Sequence, residues 1–104
     1  MMTKPNLYLR DKDKHCFLKL LTTFLPTVTA WAYGSRVKGE AHDTSDLDVV
    51  LRSADLTPIP FEELETFLQA LNDSNIPILV EARDWARLPA SFHEEILKCY
   101  VVLE

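Results

Sequence analysis

Apolar positions along the chain follow two periods, and the switches between them mark out the elements. Phe17, Leu20, Leu21 and Phe24 recur at three- and four-residue steps, so a helix is expected over about 12–24, with Pro26 just past its end. Residues 27–33 are rich in β-branched and aromatic types and read as a first strand ending at Gly34. Trp31 and Tyr33 fall on one face of it, as core packing. Residues 46–51 alternate acid and apolar side chains before running into Val49, Val50 and Leu51, a second strand. After a loop with Pro58 and Pro60, Leu64, Phe67, Leu68 and Leu71 restore the helical period over 61–71, and Asn72-Asp73-Ser74-Asn75 ends it. Residues 78–82 read as a third strand. Ser91 with Glu94 has the form of a capping box, so a last helix is expected from near Pro89 or Ala90, carrying Phe92, Ile96, Cys99 and Tyr100. Residues 101–103 fit either a continuation of that helix or a short strand.

The link from Gly34 to Asp48 is too short for a crossover helix of ordinary length, so the first two strands are expected to be antiparallel neighbours. The expected fold is a small α/β domain, helix-strand-short helix-strand-helix-strand-helix, with a mixed sheet of three or four strands. At 104 residues it reads as one domain over 1–104, burying between ~60% and ~70% of its surface.

Candidate chemistry collects in residues 34–50, GSRVKGEAHDTSDLDVV, which hold both glycines of the chain. In a strand, Asp46 and Asp48 point to the same face, roughly 7 Å apart along the chain. Two such carboxylates repel unless a cation lies between them, and hard oxygen ligands suit Mg²⁺ with its other sites filled by water and phosphate oxygens. Upstream, Gly34 at a strand exit lets the backbone approach a ligand closely. The following turn can open a short helix whose N–H groups favour an anion, with Ser35 adding a hydroxyl and Arg36 and Lys38 neutralising charge. A phosphate cradle beside a two-carboxylate metal site is what a nucleoside triphosphate with Mg²⁺ requires. Glu81, between Val80 and Ala82, has the form of a third carboxylate on a strand beside the first two. Asp84 is a rival for that role, but its position before Trp85-Ala86-Arg87 fits a cap or turn.

Gly34-Ser35, ten intervening residues and then Asp46-x-Asp48 resembles the signature of the polymerase-β-like nucleotidyltransferases, in particular the minimal nucleotidyltransferase (MNT) group. The likeness covers most of the chain: the helix before the Gly-Ser strand, GSRxxG, SDLD, and a late segment similar to V-D-x-x-D-W followed by a helix. The family usually has Asp where Glu81 stands. The resemblance implies a nucleotidyltransferase core, with Asp46, Asp48 and Glu81 as catalytic and metal-binding residues. Gly34, Ser35, Arg36, Lys38 and Ser45 would then be nucleotide-binding. It further implies ATP as substrate, two Mg²⁺ ions, and a HEPN-family partner with which MNT proteins form toxin-antitoxin pairs.

Composition and charge narrow this reading. A hydrophobic content of 47% against 26% charged residues is that of a globular protein. The start lacks a secretory apolar core and no apolar run approaches ~18 residues, so a cytoplasmic location is expected. Net charge is −5, with +5 over residues 1–39 and −10 over the rest. An acidic body argues against a general nucleic-acid binder. Cys16 and Cys99 lack metal-site spacing and read as reduced core residues. His15 and His93 read as helix-margin residues, while His42 lies in the loop between cradle and carboxylates.

The expected activity is therefore transfer of AMP from ATP to a hydroxyl, with Asp46→Asn or Asp48→Asn abolishing it. Two other readings stand beside it: an MNT domain that neutralises its partner by contact alone, and a small-molecule transferase of the antibiotic-modifying kind. Only some twenty residues follow Glu81, so the acceptor surface is expected from a second chain. Leu56, Ile59 and residues 101–103 are the candidate contacts.

Overall fold

The computed structural model describes residues 6–104. It runs α1 (Asp11–Phe24), β1 (Thr29–Tyr33), α2 (Ser35–Lys38), β2 (Leu47–Arg52), α3 (Phe61–Asn72), β3 (Val80–Asp84), a 3-10 turn (Trp85–Arg87), α4 (Ala90–Lys98) and β4 (Tyr100–Leu103). The four strands form one mixed sheet in the order β3-β2-β1-β4. β1 pairs antiparallel with β2 and with β4, and β2 pairs parallel with β3. The antiparallel pairing of the first two strands and the mixed sheet agree with the expectation from loop length.

Strand alternation divides the core. Ala30, Ala32, Leu47, Val49, Leu51 and Leu103 face one side, where Phe17 and Leu21 of α1 and Phe67 and Leu71 of α3 cover them. Phe17 and Phe67 meet edge to face at 5.8 Å, each worth about 1.5–3 kcal/mol of burial. The other side is thinner: Tyr33 and Val50 pack with Trp85 and with Ile96 of α4, rimmed by Trp31, Phe92 and Tyr100. β2 is covered on both faces, which is why Val49, Val50 and Leu51 form an unbroken apolar run.

Several boundaries and caps differ from the sequence reading, some for local and some for tertiary reasons. β1 begins at Thr29, because the Val28 N–H is taken by the Leu25 carbonyl in the turn after α1. β3 is shifted to Val80–Asp84, where it can pair in parallel with β2 from Leu47. The capping box of Ser91 and Glu94 does not form: Pro89 is the residue before the helix, and its carbonyl accepts from the N–H groups of Phe92 and His93. Cys99 is extended and ends α4, so Tyr100 leaves the helix and residues 101–103 are strand, paired with β1. Ile59, expected as an exposed contact, is 2% exposed, its N–H donating to Asp84 Oδ2 at 2.9 Å. Leu56 is exposed, as is Val102 of the terminal strand. Cys16 and Cys99 are free thiols, both partly buried. Among the described residues no helix is long and apolar enough to cross a membrane.

Candidate active site

Register across three strands builds the site. Tyr33 of β1 pairs with Asp48 of β2, and Asp48 with Glu81 of β3, so the three stand in a row on the thinner face of the sheet. Asp46 lies just before β2 and is exposed. The Asp48 carboxyl is pushed above the usual carboxylate range, first by burial and then by the charges of Glu81 and Asp46, with Arg83 opposing. Burial, and then Asp48, push the Tyr33 phenol up as well, and its hydroxyl is buried without a hydrogen-bond partner.

Arg83 is the residue that the sequence reading missed. Two positions beyond Glu81, it shares that strand's outer face and donates to Glu81 Oε2 at 3.4 Å, with its guanidinium 5.8 Å from the Phe92 ring centroid. The available signal was the two-residue spacing in the third strand, which puts a cation on the same face as the acid.

The turn after β1 presses against this row. Gly34 adopts φ 79°, ψ −154°, a backbone region essentially reserved for glycine. A Cβ placed on it would lie 2.5 Å from Asp48 Oδ2, so the missing side chain is also what lets the turn approach the carboxylate. Ser35 opens α2 directly behind it, and Gly39, in the left-handed region, closes that single turn by donating its N–H to the Ser35 carbonyl. Lys38 is exposed, and its charge is felt by Glu95 of α4.

Arg36 departs from the expected phosphate contact. It is 4% exposed, and its guanidinium turns inward to donate to backbone carbonyls of Tyr8 (2.5 Å), Asp43 (3.1 Å) and Ser45 (2.8 and 3.0 Å), with a longer bond to His42 (3.3 Å). Loop 40–45 has no regular structure of its own to satisfy those carbonyls, and one fork-shaped donor group serves them all. Ser45 belongs to the same clamp, its hydroxyl accepting from the His42 N–H at 2.8 Å. These two residues thus fix the loop that leads into Asp46, and His42 stands exposed on that loop.

Asp84 is the cap that its position suggested. Buried at 4%, it accepts from the N–H groups of Ile59 and Ala86 and from the Arg87 guanidinium, which ties the 3-10 turn to the proline loop.

The donor set of Asp46, Asp48 and Glu81 is all oxygen, and burial first, then the charges of Glu81 and Asp46, disfavour the ionised form of Asp48. That chemistry fits a hard divalent cation. Among the described residues no three His, Cys, Asp or Glu side chains already close on one point. Two clefts touch the outer carboxylates: one of about 820 Å³ is lined in part by Asp46, and one of about 620 Å³ in part by Glu81.

Comparison with known proteins agrees with this architecture. Residues 19–103 match the family described as Polymerase beta, Nucleotidyltransferase. The chain is 39% identical over 104 residues to a Haemophilus influenzae protein named probable protein adenylyltransferase MntA, covering all of this chain and 90% of that one. Among solved structures, a toxin-antitoxin crystallised with AMP-PNP superimposes with a TM-score of 0.71 at 20% identity, covering 88% of this chain and 72% of that chain. The MntA-HepT toxin-antitoxin gives 0.67 at 16% identity, covering 91% and 72%. At those identities the two structures speak for the fold; the family match and the Haemophilus relative speak for descent. The chain belongs to the polymerase-β nucleotidyltransferase family and is a nucleotidyltransferase domain.

Proposed function

We propose that this chain is a Mg²⁺-dependent adenylyltransferase that moves AMP from ATP to a hydroxyl of a HEPN-family partner, acting in the cytoplasm as the antitoxin of a toxin-antitoxin pair. The observation that carries the reading is the close approach of the Gly34 turn to Asp48, with Glu81 in register beside it. Support for the donor and acceptor comes from the relative named as a protein adenylyltransferase and from similar folds crystallised as toxin-antitoxin assemblies, one with AMP-PNP.

Asp46, Asp48 and Glu81 would hold Mg²⁺, which supplies charge neutralisation of the triphosphate and a lowered pKa for the attacking hydroxyl. The Gly34–Ser35 backbone and the Ser35 hydroxyl receive the β- and γ-phosphates. Lys38 adds positive charge from the end of α2. Arg36 and Ser45 act indirectly, fixing the loop that presents Asp46. Glu81 takes the proton as the acceptor oxygen attacks the α-phosphorus. One phosphorus–oxygen bond forms to the acceptor, the bond to the β-phosphate bridging oxygen breaks, and pyrophosphate leaves in line.

The test is transfer of label from α-labelled ATP to the purified partner in Mg²⁺. Asp46→Asn and Asp48→Asn are each expected to abolish labelling while leaving the circular dichroism spectrum unchanged. Full labelling by either variant overturns the mechanism. A second reading, neutralisation by binding alone, is favoured by Glu81 at a position where the family usually has Asp, and by its engagement with Arg83. Under that reading the wild-type chain binds and inhibits its partner without labelling it.

A further inference from the structure

We propose that the acceptor chain docks over the free edge of β3, with Leu79 as the apolar anchor of the surface that receives it. The inference rests on the transferase reading above and adds the direction from which the hydroxyl arrives.

In-line displacement puts the attacking and leaving oxygens on opposite sides of the α-phosphorus. The turn at Gly34 adjoins Asp48 from the β1 side, and Glu81 adjoins it from the β3 side. A pyrophosphate leaving toward Gly34 and Ser35 therefore requires a hydroxyl entering from Glu81. The rest of the rim agrees. Beyond Tyr33 stands Phe92 of α4, edge-on to it at 5.9 Å. β3 is the outermost strand, with no strand paired to its far side.

Leu79 sits where the two clefts meet. It lines the first with Asp46, Asp43, Tyr8, Pro77 and Ile78, and the second with Glu81, Ile76 and Leu68. Its side chain is 59% exposed, while its carbonyl is fixed by the Leu47 N–H at 2.9 Å. A large apolar side chain held at the rim between two catalytic carboxylates, with a cleft on each side, has the layout of an interface anchor and its surrounding contacts.

Charge selects the occupant. Arg10 is paired with Asp13 and Arg83 with Glu81, whereas the exposed Asp43 carboxylate accepts only from the Tyr8 hydroxyl and has no ion-pair partner among the described residues, and Asp46 is taken up by the metal site. The fitting ligand is a protein segment that sets an apolar side chain against Leu79, carries Lys or Arg toward Asp43, and presents its hydroxyl near Glu81.

The experiment uses the full chain and the purified HEPN-family partner. It measures partner affinity by calorimetry, label transfer from α-labelled ATP, and AMP-PNP affinity, for wild type, Leu79→Asp and Leu79→Met. Leu79→Asp is expected to weaken partner binding by about tenfold or more, with AMP-PNP affinity unchanged, and Leu79→Met to bind like wild type. Wild-type partner affinity in Leu79→Asp overturns the proposal. So does a parallel loss of AMP-PNP binding, which would put Leu79 in the nucleotide site, and so does a wild-type chain that does not bind the partner. A wild-type chain that binds the partner through Leu79 but transfers no label sinks the transferase reading and leaves the docking surface standing.

Discussion

A Cβ on Gly34 would lie 2.5 Å from the Oδ2 atom of Asp48, so the turn and the carboxylate occupy a space that only glycine leaves open. The same residue has φ 79° and ψ −154°, so backbone geometry and side-chain clearance require glycine independently.

Gly34→Ala is therefore expected to do two kinds of damage. The backbone strain costs about 1–3 kcal/mol, read as a lowered melting temperature. The displaced Asp48 carboxylate costs transfer activity by roughly 10²-fold, as misplacements of about 1 Å do. A variant with wild-type activity and stability would contradict the close approach.

Asp48 itself is held at a cost. Its carboxyl is raised, chiefly by burial and then by Glu81 and Asp46, so the ionised form is disfavoured in the folded state. The sign follows from linkage: the penalty is absent below the unfolded carboxylate pKa of about 4, grows as pH rises above it, and levels off above the folded value. With Mg²⁺ chelated, Asp48→Asn should melt higher than wild type at pH 7, with the difference shrinking to nothing near pH 4. Melting curves at the two pH values decide it, and a lower melting temperature for the variant at pH 7 would refute the account.

Helix periods were legible because each depends on side chains a few residues apart. Phe17 with Leu21, and Phe67 with Leu71, announce their helices without knowledge of the sheet. The closeness of Asp48 and Glu81 was also foreseeable, since both occupy the same phase of alternating strands. What failed depended on distant partners. Ile59 looks like a loop residue until Asp84, 25 positions away, captures its N–H. Ser91 and Glu94 spell a capping box, yet the helix already starts at Ala90, as expected, with Pro89 as its cap residue and no side-chain cap. Arg83 lies one residue past the 78–82 strand read from the sequence, so its shared face with Glu81 shows only with the strand at Val80–Asp84.

Glu81 offers a cleaner test of chemistry than of stability, because its side chain is 40% exposed and its ion pair with Arg83 is long. Glu81→Gln keeps the shape and removes the base. Transfer is expected to fall by about 10²–10⁴-fold with AMP-PNP affinity little changed and the melting temperature within a degree or two. If Glu81→Gln transfers label at the wild-type rate, proton removal belongs to another group.

Arg36 separates a structural cation from a phosphate ligand. Its guanidinium is buried and serves carbonyls of Tyr8, His42, Asp43 and Ser45, which fan around one plane. Lysine keeps the charge, but a single ammonium on a flexible stem cannot reach that fan, and the carbonyls it abandons remain cut off from water. Arg36→Lys is therefore expected to lose about 3 kcal/mol of stability or more, read from denaturant unfolding, and to expose loop 40–45 to proteolysis. Transfer falls as a consequence, because Ser45 and Asp46 lose their support, and it falls through kcat. A residue binding the triphosphate directly would behave the other way, with stability kept and KM for ATP raised. That opposite pattern would return Arg36 to the nucleotide and leave the loop clamp without a role.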